Sequence, residues 1–388
     1  MNRYLLAGAA AAALALGAGA ANAQAKFEVK IGGDAYFEGG YVGQDLDSGT
    51  RSTEFRNRMR INIIPSAKAD NGLEYGARLR LRANGNDRNT DADRAYMFAQ
   101  GSFGQVRLGV TDSFNDDTYV TAPMDYLALG IYDGLPAWIN TTGTNGNNIN
   151  SGVANTVTKS GNIISPSVVV DGNATKIVYY SPRFAGIQFG ASYTPRNDSS
   201  NTDINRTKPV ASATTGNASG TFTDIVEVGA NYNNTFSGVT LKASAGYFWG
   251  QAIGNSAGSN YKDLNAWQAG AQIGYAGFAL GGGYVDYGKS GQNKIRSVFT
   301  EPTRNWNVGA QYTTGPIVVG LNYKNGRDAG SQTTAGEREL QVYEIGVGYT
   351  VAPGLTVQAQ YDYFKVNNDA SAQDDKGNVV ILRSVLAF

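Results

Sequence analysis

The stretch Phe55-Arg56-Asn57-Arg58-Met59-Arg60-Ile61-Asn62-Ile63, followed after a short connection by Leu73-Glu74-Tyr75-Gly76-Ala77-Arg78-Leu79-Arg80-Leu81-Arg82, decides the fold. Its polarity repeats every second residue. Successive side chains of a strand point to opposite faces, so such a period predicts strands with one apolar and one charged face. Phe55, Met59, Ile61 and Ile63 share the apolar face, which Asn57 interrupts, and Leu73, Tyr75, Ala77, Leu79 and Leu81 continue it. Between the two strands, Asp70-Asn71-Gly72 offers a backbone that accepts positive φ at low steric cost, which predicts a hairpin. A soluble sandwich would need one of these faces as its core, and three arginines on each strand make the second face too polar for that.

Working outward, the pattern repeats. Before the arginine strands, Phe27, Val29 and Ile31 alternate with Glu28 and Lys30. After them the expected pairs are 94–100 with 106–110, 175–180 with 187–193, 225–232 with 239–249, 264–275 with 278–287, 305–312 with 317–323, and 340–350 with 355–363, and a last strand runs over 379–388. The total is sixteen strands, with seven short turns separating longer connections rich in Asn, Gly, Ser and Asp. Short turns on one side and long loops on the other are the layout of an outer-membrane barrel. The expected fold is therefore all-β: a transmembrane, antiparallel, up-and-down β-barrel. Backbone groups in hydrocarbon must all be paired within the protein, which a closed sheet achieves without an edge. Sixteen strands also leave room for an aqueous lumen.

Composition agrees. Fifty Gly and 23 Tyr suit many strands, tight turns and interfacial aromatic belts, and the absence of Cys leaves no disulfide framework. Lys+Arg and Asp+Glu balance at 32 each, which gives no sign of a nucleic-acid partner. Residues 1–23 read as a cleaved signal peptide rather than an anchor. Arg3 precedes an apolar Ala/Leu stretch, and Ala21-Asn22-Ala23 is a small-x-small cleavage pattern. Residues 24–388 form one barrel domain on this reading, since no linker divides them.

The candidate functional residues are charged. Arg56, Arg58, Arg60, Arg78, Arg80 and Arg82 form one ladder on adjacent strands, read as a pore wall. Arginine facing lipid at the membrane midplane would cost about 2–4 kcal/mol, so the ladder points into the lumen. Opposite charge is expected from the long connection after Val110, where Asp112, Asp116, Asp117, Asp125 and Asp133 lie early. If this loop enters the barrel, its carboxylates face the ladder across a constriction, and rings of charge set ion preference. The Asn-, Gly- and Ser-rich second half of the loop is longer than a constriction needs and is read as projecting outward.

Other motifs carry little. Gly254-Asn255-Ser256-Ala257-Gly258 has the spelling of a nucleophile elbow, but it lies in a polar loop of a chain with no His. Asp87, Asn89, Asp91 and Asp93 imitate calcium-loop spacing without its Gly or distal Glu. Neither a cofactor nor a metal is expected, and without His or Cys an acid–base or nucleophilic enzyme is disfavoured.

Several segments together resemble Gram-negative general porins, in the form found in α-proteobacteria. These are the leader, Arg94-Ala95-Tyr96 running to Gly101-Ser102-Phe103-Gly104-Gln105-Val106-Arg107-Leu108-Gly109, the segment Val178-Tyr179-Tyr180-Ser181-Pro182-Arg183-Phe184-Ala185-Gly186, and the terminal Phe388. The resemblance covers the whole mature chain. It implies a homotrimer of sixteen-stranded barrels in the outer membrane, among its lipids and lipopolysaccharide. It also implies a third external loop folded into the pore, and Phe388 as the signal to the barrel-assembly machinery. Leu386 stands where a second aromatic is common. The function so implied is passive diffusion of small hydrophilic solutes and ions, with a channel selective for anions or phosphate as the alternative.

Overall fold

In the computed structural model, residues 26–84, 89–131, 134–141, 165–204, 222–252, 261–292, 301–330, 336–368 and 371–388 are described, with isolated loop positions at 146, 147, 149, 163, 206 and 294. Residues 1–23, expected from the sequence to be a signal peptide, the stretch 254–258, Asp87 and Asp133 lie outside them.

The alternating stretches become sixteen strands: β1 (Glu28–Gln44), β2 (Thr53–Lys68), β3 (Glu74–Asn84), β4 (Asn89–Gly101), β5 (Gly104–Val110), β6 (Thr175–Tyr180), β7 (Ile187–Arg196), β8 (Phe222–Phe236), β9 (Val239–Ala252), β10 (Leu264–Tyr275), β11 (Phe278–Gly288), β12 (Thr303–Thr314), β13 (Ile317–Asp328), β14 (Arg338–Ala352), β15 (Leu355–Asn367) and β16 (Asp375–Ala387). Each pairs antiparallel with its chain neighbour, and β16 pairs with β1 to close the barrel. The seam is finished by Phe388, whose backbone exchanges two hydrogen bonds with Gly33, at 2.7 and 3.0 Å.

β1 is longer than the alternation at residues 27–31 indicates. It continues through Gly-rich residues to Gln44, because Asp34, Tyr36 and Glu38 keep the even-numbered face and Ala35, Phe37 and Tyr41 the odd one. The lipid-side faces stay bare and apolar: Phe55, Met97, Phe189, Leu280, Leu321, Ile345 and Leu382 are all exposed.

The opposite face is only partly wet, which corrects the sequence reading. Towards the long-loop end, inward positions of β14–β16 switch to Leu340, Val342, Phe364, Val366, Val379 and Ile381, all buried. Inward positions of β8–β11 switch to Phe248, Leu264, Ala266, Val285 and Tyr287, also buried. What covers them is the loop between β5 and β6. Its first half brings Leu127, Leu129, Leu135 and Ile139 to the first cluster. Its second half brings Val168 and Val170 to the other. The described part of that second half therefore does not project outward. Ile163 is fully buried, Val168 N–H donates to Gln268 Oε1 at 2.7 Å, and Tyr287 O–H donates to the Ser167 carbonyl at 3.2 Å. Apolar side chains at both contact surfaces exclude water, and that burial holds the loop to the wall.

Candidate functional site

The loop leaves β5 at Val110 and forms a short α-helix, α1 (Phe114–Thr118), capped by Ser113. It then follows the inner wall around the barrel. The wall accommodates it with glycines in strand interiors, positions where glycine otherwise weakens a strand and marks a close backbone approach. A Cβ on Gly190 of β7 would stand 1.9 Å from the Phe114 ring. One on Gly270 of β10 would stand 1.8 Å from the Val120 carbonyl oxygen, one on Gly320 of β13 2.1 Å from the Tyr126 ring, and one on Gly40 of β1 2.3 Å from the Trp138 ring. Polar wall residues then fix the backbone. Ser192 accepts from Phe114 N–H at 2.9 Å, Ser244 from Val120 N–H at 2.7 Å, and Asn307 from Ala122 N–H at 2.9 Å, while Tyr126 O–H donates to Glu344 Oε1 at 2.9 Å.

These contacts run from β7 round to β1 and leave most of the arginine wall open. The six ladder arginines do share one wall of the lumen, but their partners are chiefly strand residues. Arg58 and Arg60 each reach Asp34 of β1 at 2.9 Å. Arg56 pairs with Glu38, which also binds Arg383 of β16 at 2.6 Å. Arg80 grips Asp93 with two bonds of 2.7 and 2.8 Å, and Arg82 grips Asp91 with bonds of 2.8 and 3.0 Å. Asp93 is the extra residue of a bulge in the β3–β4 register, a device that re-aims a side chain. Arg78 Nε donates to Asn62 at 2.9 Å and has no carboxylate within 4 Å among the described residues. An aromatic cluster adds to the wall: the Tyr36 ring lies within 6 Å of Arg56, Arg58 and Arg383, and the loop's Trp138 lies 5.8 Å from Arg56.

The loop aspartates divide. Asp112 binds Arg94 of β4, and Asp117 binds Arg107 of β5 at 2.5 Å while accepting from Tyr180 O–H at 2.6 Å. Both thus flank the ladder on arginines outside the six read from the sequence. Burial alone would raise the Asp112 carboxyl, but the hydrogen bond and charge of Arg94 outweigh it and hold the group below the usual carboxylate range. Asp116 turns behind the helix and takes a hydrogen bond from Ser167 at 3.2 Å. Burial, with Asp112 and Asp171 nearby, pushes its carboxyl up to about 7. Asp125 is held by Gln311, whose side-chain Oε1 accepts from Asp125 N–H at 3.1 Å. Asp91 and Asp93, half of the calcium-like spacing, serve as arginine partners, and among the described residues no three acidic side chains converge as metal ligands.

Sequence reasoning missed Asp34, Glu38, Arg94, Arg107 and Arg383. The signal for the first two was present: even-numbered polarity continues past Ile31 through Asp34 and Glu38, obscured by the surrounding glycines.

A membrane-spanning barrel with a polar wall opposite an inward loop defines a channel protein. The sequence profile of the Gram-negative porin family matches residues 9–369, and the chain belongs to that family. An uncharacterized protein of Rickettsia conorii is 22% identical, the match covering 93% of each chain. Among solved structures, a loop L8 deletion mutant of the Vibrio cholerae outer membrane protein OmpT superposes with a TM-score of 0.61 at 12% identity, covering 93% of this chain and 99% of that one. A mutant of the Rh. blastica porin superposes with a TM-score of 0.56 at 16% identity, covering 93% and 100%. The protein is thus an outer-membrane channel rather than an enzyme by family and fold.

Proposed function

We propose that this barrel is a passive diffusion channel for small hydrophilic solutes and ions, narrowed between the arginine wall and the first half of the inner loop. One observation carries the reading. Arg58, Arg60, Arg78, Arg80 and Arg82 have no hydrogen-bond or ion-pair partner on the loop among the described residues, while the wall opposite is covered by it. The open passage therefore runs along these arginines, with Asp112 and Asp117 at its side.

Nine arginines line this region (the six of the ladder with Arg94, Arg107 and Arg383), against six carboxylates paired with them. The excess supports a mild anion preference and favours, as a second reading, a channel selective for anions or phosphate. Reversal potentials in asymmetric salt test this. Neutralising Arg58 and Arg80 to Gln is expected to move selectivity toward cations, and Asp112→Asn with Asp117→Asn toward anions. Both shifts should shrink at 1 M salt, where the Debye length is about 3 Å against about 10 Å at 0.1 M. Unchanged potentials in both variants would remove these residues from the narrow part.

The same reading extends to assembly: export through a leader cleaved after Ala23, insertion by the barrel-assembly machinery through Phe388, and a homotrimer among outer-membrane lipids and lipopolysaccharide. A structure of Vibrio cholerae OmpT described as a trimer form, with a TM-score of 0.60, supports the trimer. Mass measurement in mild detergent is expected to give three chains per particle, and a strictly monomeric particle would refute it.

A further inference from the structure

Beneath α1, on the short-turn side of the arginine wall, lies a cavity of about 620 Å³. It is bounded by the turns after β2, β4 and β6, and the loop contributes Asp117 and Thr118 to its roof. Its volume falls in the range of small-molecule sites, about 300–1,000 Å³. Unlike most such sites, it is lined by amides, hydroxyls and charges, which suits a hydrophilic ligand.

The charges are not balanced. Three cations, Lys68, Arg107 and Arg183, line it against two carboxylates: Asp117 pairs with Arg107, and Glu74 accepts from Gln100 Nε2 at 2.9 Å but keeps its charge. Lys68 and Arg183 remain. Neither has a carboxylate within 4 Å among the described residues, although Glu74 is the register partner of Lys68. The Arg183 guanidinium is nevertheless held in place by neutral acceptors: the Gly186 carbonyl at 2.6 Å, Gln188 Oε1 at 3.1 Å and Asn231 Oδ1 at 2.5 Å. It is a positioned cation without an ion-pair partner among the described residues, and Lys68, exposed and opposite Glu74, is a second cation on the same cavity. Guanidinium and ammonium groups are the usual partners of carboxylate and phosphate oxygens. The amides of Gln100, Gln105 and Gln188, with Thr118, supply donors and acceptors for hydroxyl groups.

We propose that this cavity is a binding station for small anions with a hydroxyl-rich body, the anionic group lying between Lys68 and Arg183. The inference rests on the channel reading above and deepens it by naming the solute class. An anion that has passed the arginine wall meets Lys68 and Arg183, neither ion-paired within 4 Å among the described residues, before reaching the open mouth.

The test is single-channel recording of the full-length protein in about 0.1 M KCl, with glucose 6-phosphate, gluconate or glucose added on the short-turn side. Both anions are expected to reduce the current saturably and glucose is not. The phosphate and carboxylate arms separate the two headgroup chemistries, and saturable block by either one supports the site. In Lys68→Gln with Arg183→Gln, confirmed as folded by heat-modifiable gel mobility, the half-blocking concentration should rise at least tenfold. If the anions block wild-type channels no better than glucose, the proposal falls. It falls equally if block persists in the double variant but disappears in Arg78→Gln, because binding would then belong to the arginine wall. Either result leaves the diffusion channel standing, whereas wild-type protein with no conductance at all would overturn that reading instead.

Discussion

Gly270→Ala adds one methyl group to the inner face of β10, and its consequence follows from the approach of the loop. The new Cβ would lie 1.8 Å from the Val120 carbonyl oxygen, and real Cβ contacts are not made below 3.0 Å. The obstructing atom is backbone, so no side-chain rotation relieves it, and the loop must recede from the wall by at least about 1.2 Å. That displacement pulls on two short anchors beside it: Val120 N–H to Ser244 Oγ at 2.7 Å, and Gln272 Nε2 to the Thr121 carbonyl at 2.6 Å. Losing both and leaving their partners unsatisfied costs about 3 kcal/mol, roughly a hundredfold in the ratio of docked to undocked loop. The loop can move only inward, into the passage. Single-channel recordings should therefore show lower conductance and more frequent partial closures, while heat-modifiable gel mobility, which reports the barrel, stays as in wild type. Gly274→Ala is the control. It lies on the same face of the same strand, but its added Cβ would meet nothing closer than 3.4 Å, so its currents should match wild type. Identical currents in Gly270→Ala and Gly274→Ala would refute the idea that glycine shapes the loop's track.

Two further outcomes are expected. Arg at Val319 or Ile345, which are bare on the outer face, should cost about 2–4 kcal/mol at the midplane and impair assembly on heat-modifiability gels, while Arg at the inward Gln188 or Gln358 should be tolerated; equal tolerance at all four positions would overturn the facing assignment. The docking of α1 should also depend on pH. Because Asp116 holds its proton to about 7 when docked, against an ordinary 3.8, docking is strongest below about pH 4, weakens as pH rises through that window, and is level above about 7. Current fluctuations should rise over the same interval and lose that dependence in Asp116→Asn, and a wild-type noise level flat across it would refute the assignment.

The barrel was legible in the amino-acid order alone. Period two is a property of each strand alone, so sixteen polarity alternations, seven short turns and the facing of the arginine ladder were all legible one segment at a time. The amino-acid order also located the loop that carries Asp112 and Asp117, because an unusually long connection is a local feature. It did not reveal what pairs with what. Asp34 and Glu38 become partners of the ladder only because closure lays β1 beside β2 and β16, and register, not spacing along the chain, brings Arg383 to Glu38. Asp116 reads like Asp117 in the sequence, yet one turns into the wall and the other into the passage, since a five-residue helix points neighbours in different directions. The apolar stretches at the long-loop ends of β8–β11 and β14–β16 looked like ordinary strand residues. Only the tertiary structure shows that they face inward and that a loop covers them, because water exclusion there depends on two distant segments meeting. The glycines make the same point: fifty of them suggested turns, and it takes the folded loop to show that Gly190, Gly270 and Gly320 are the spaces in which it lies.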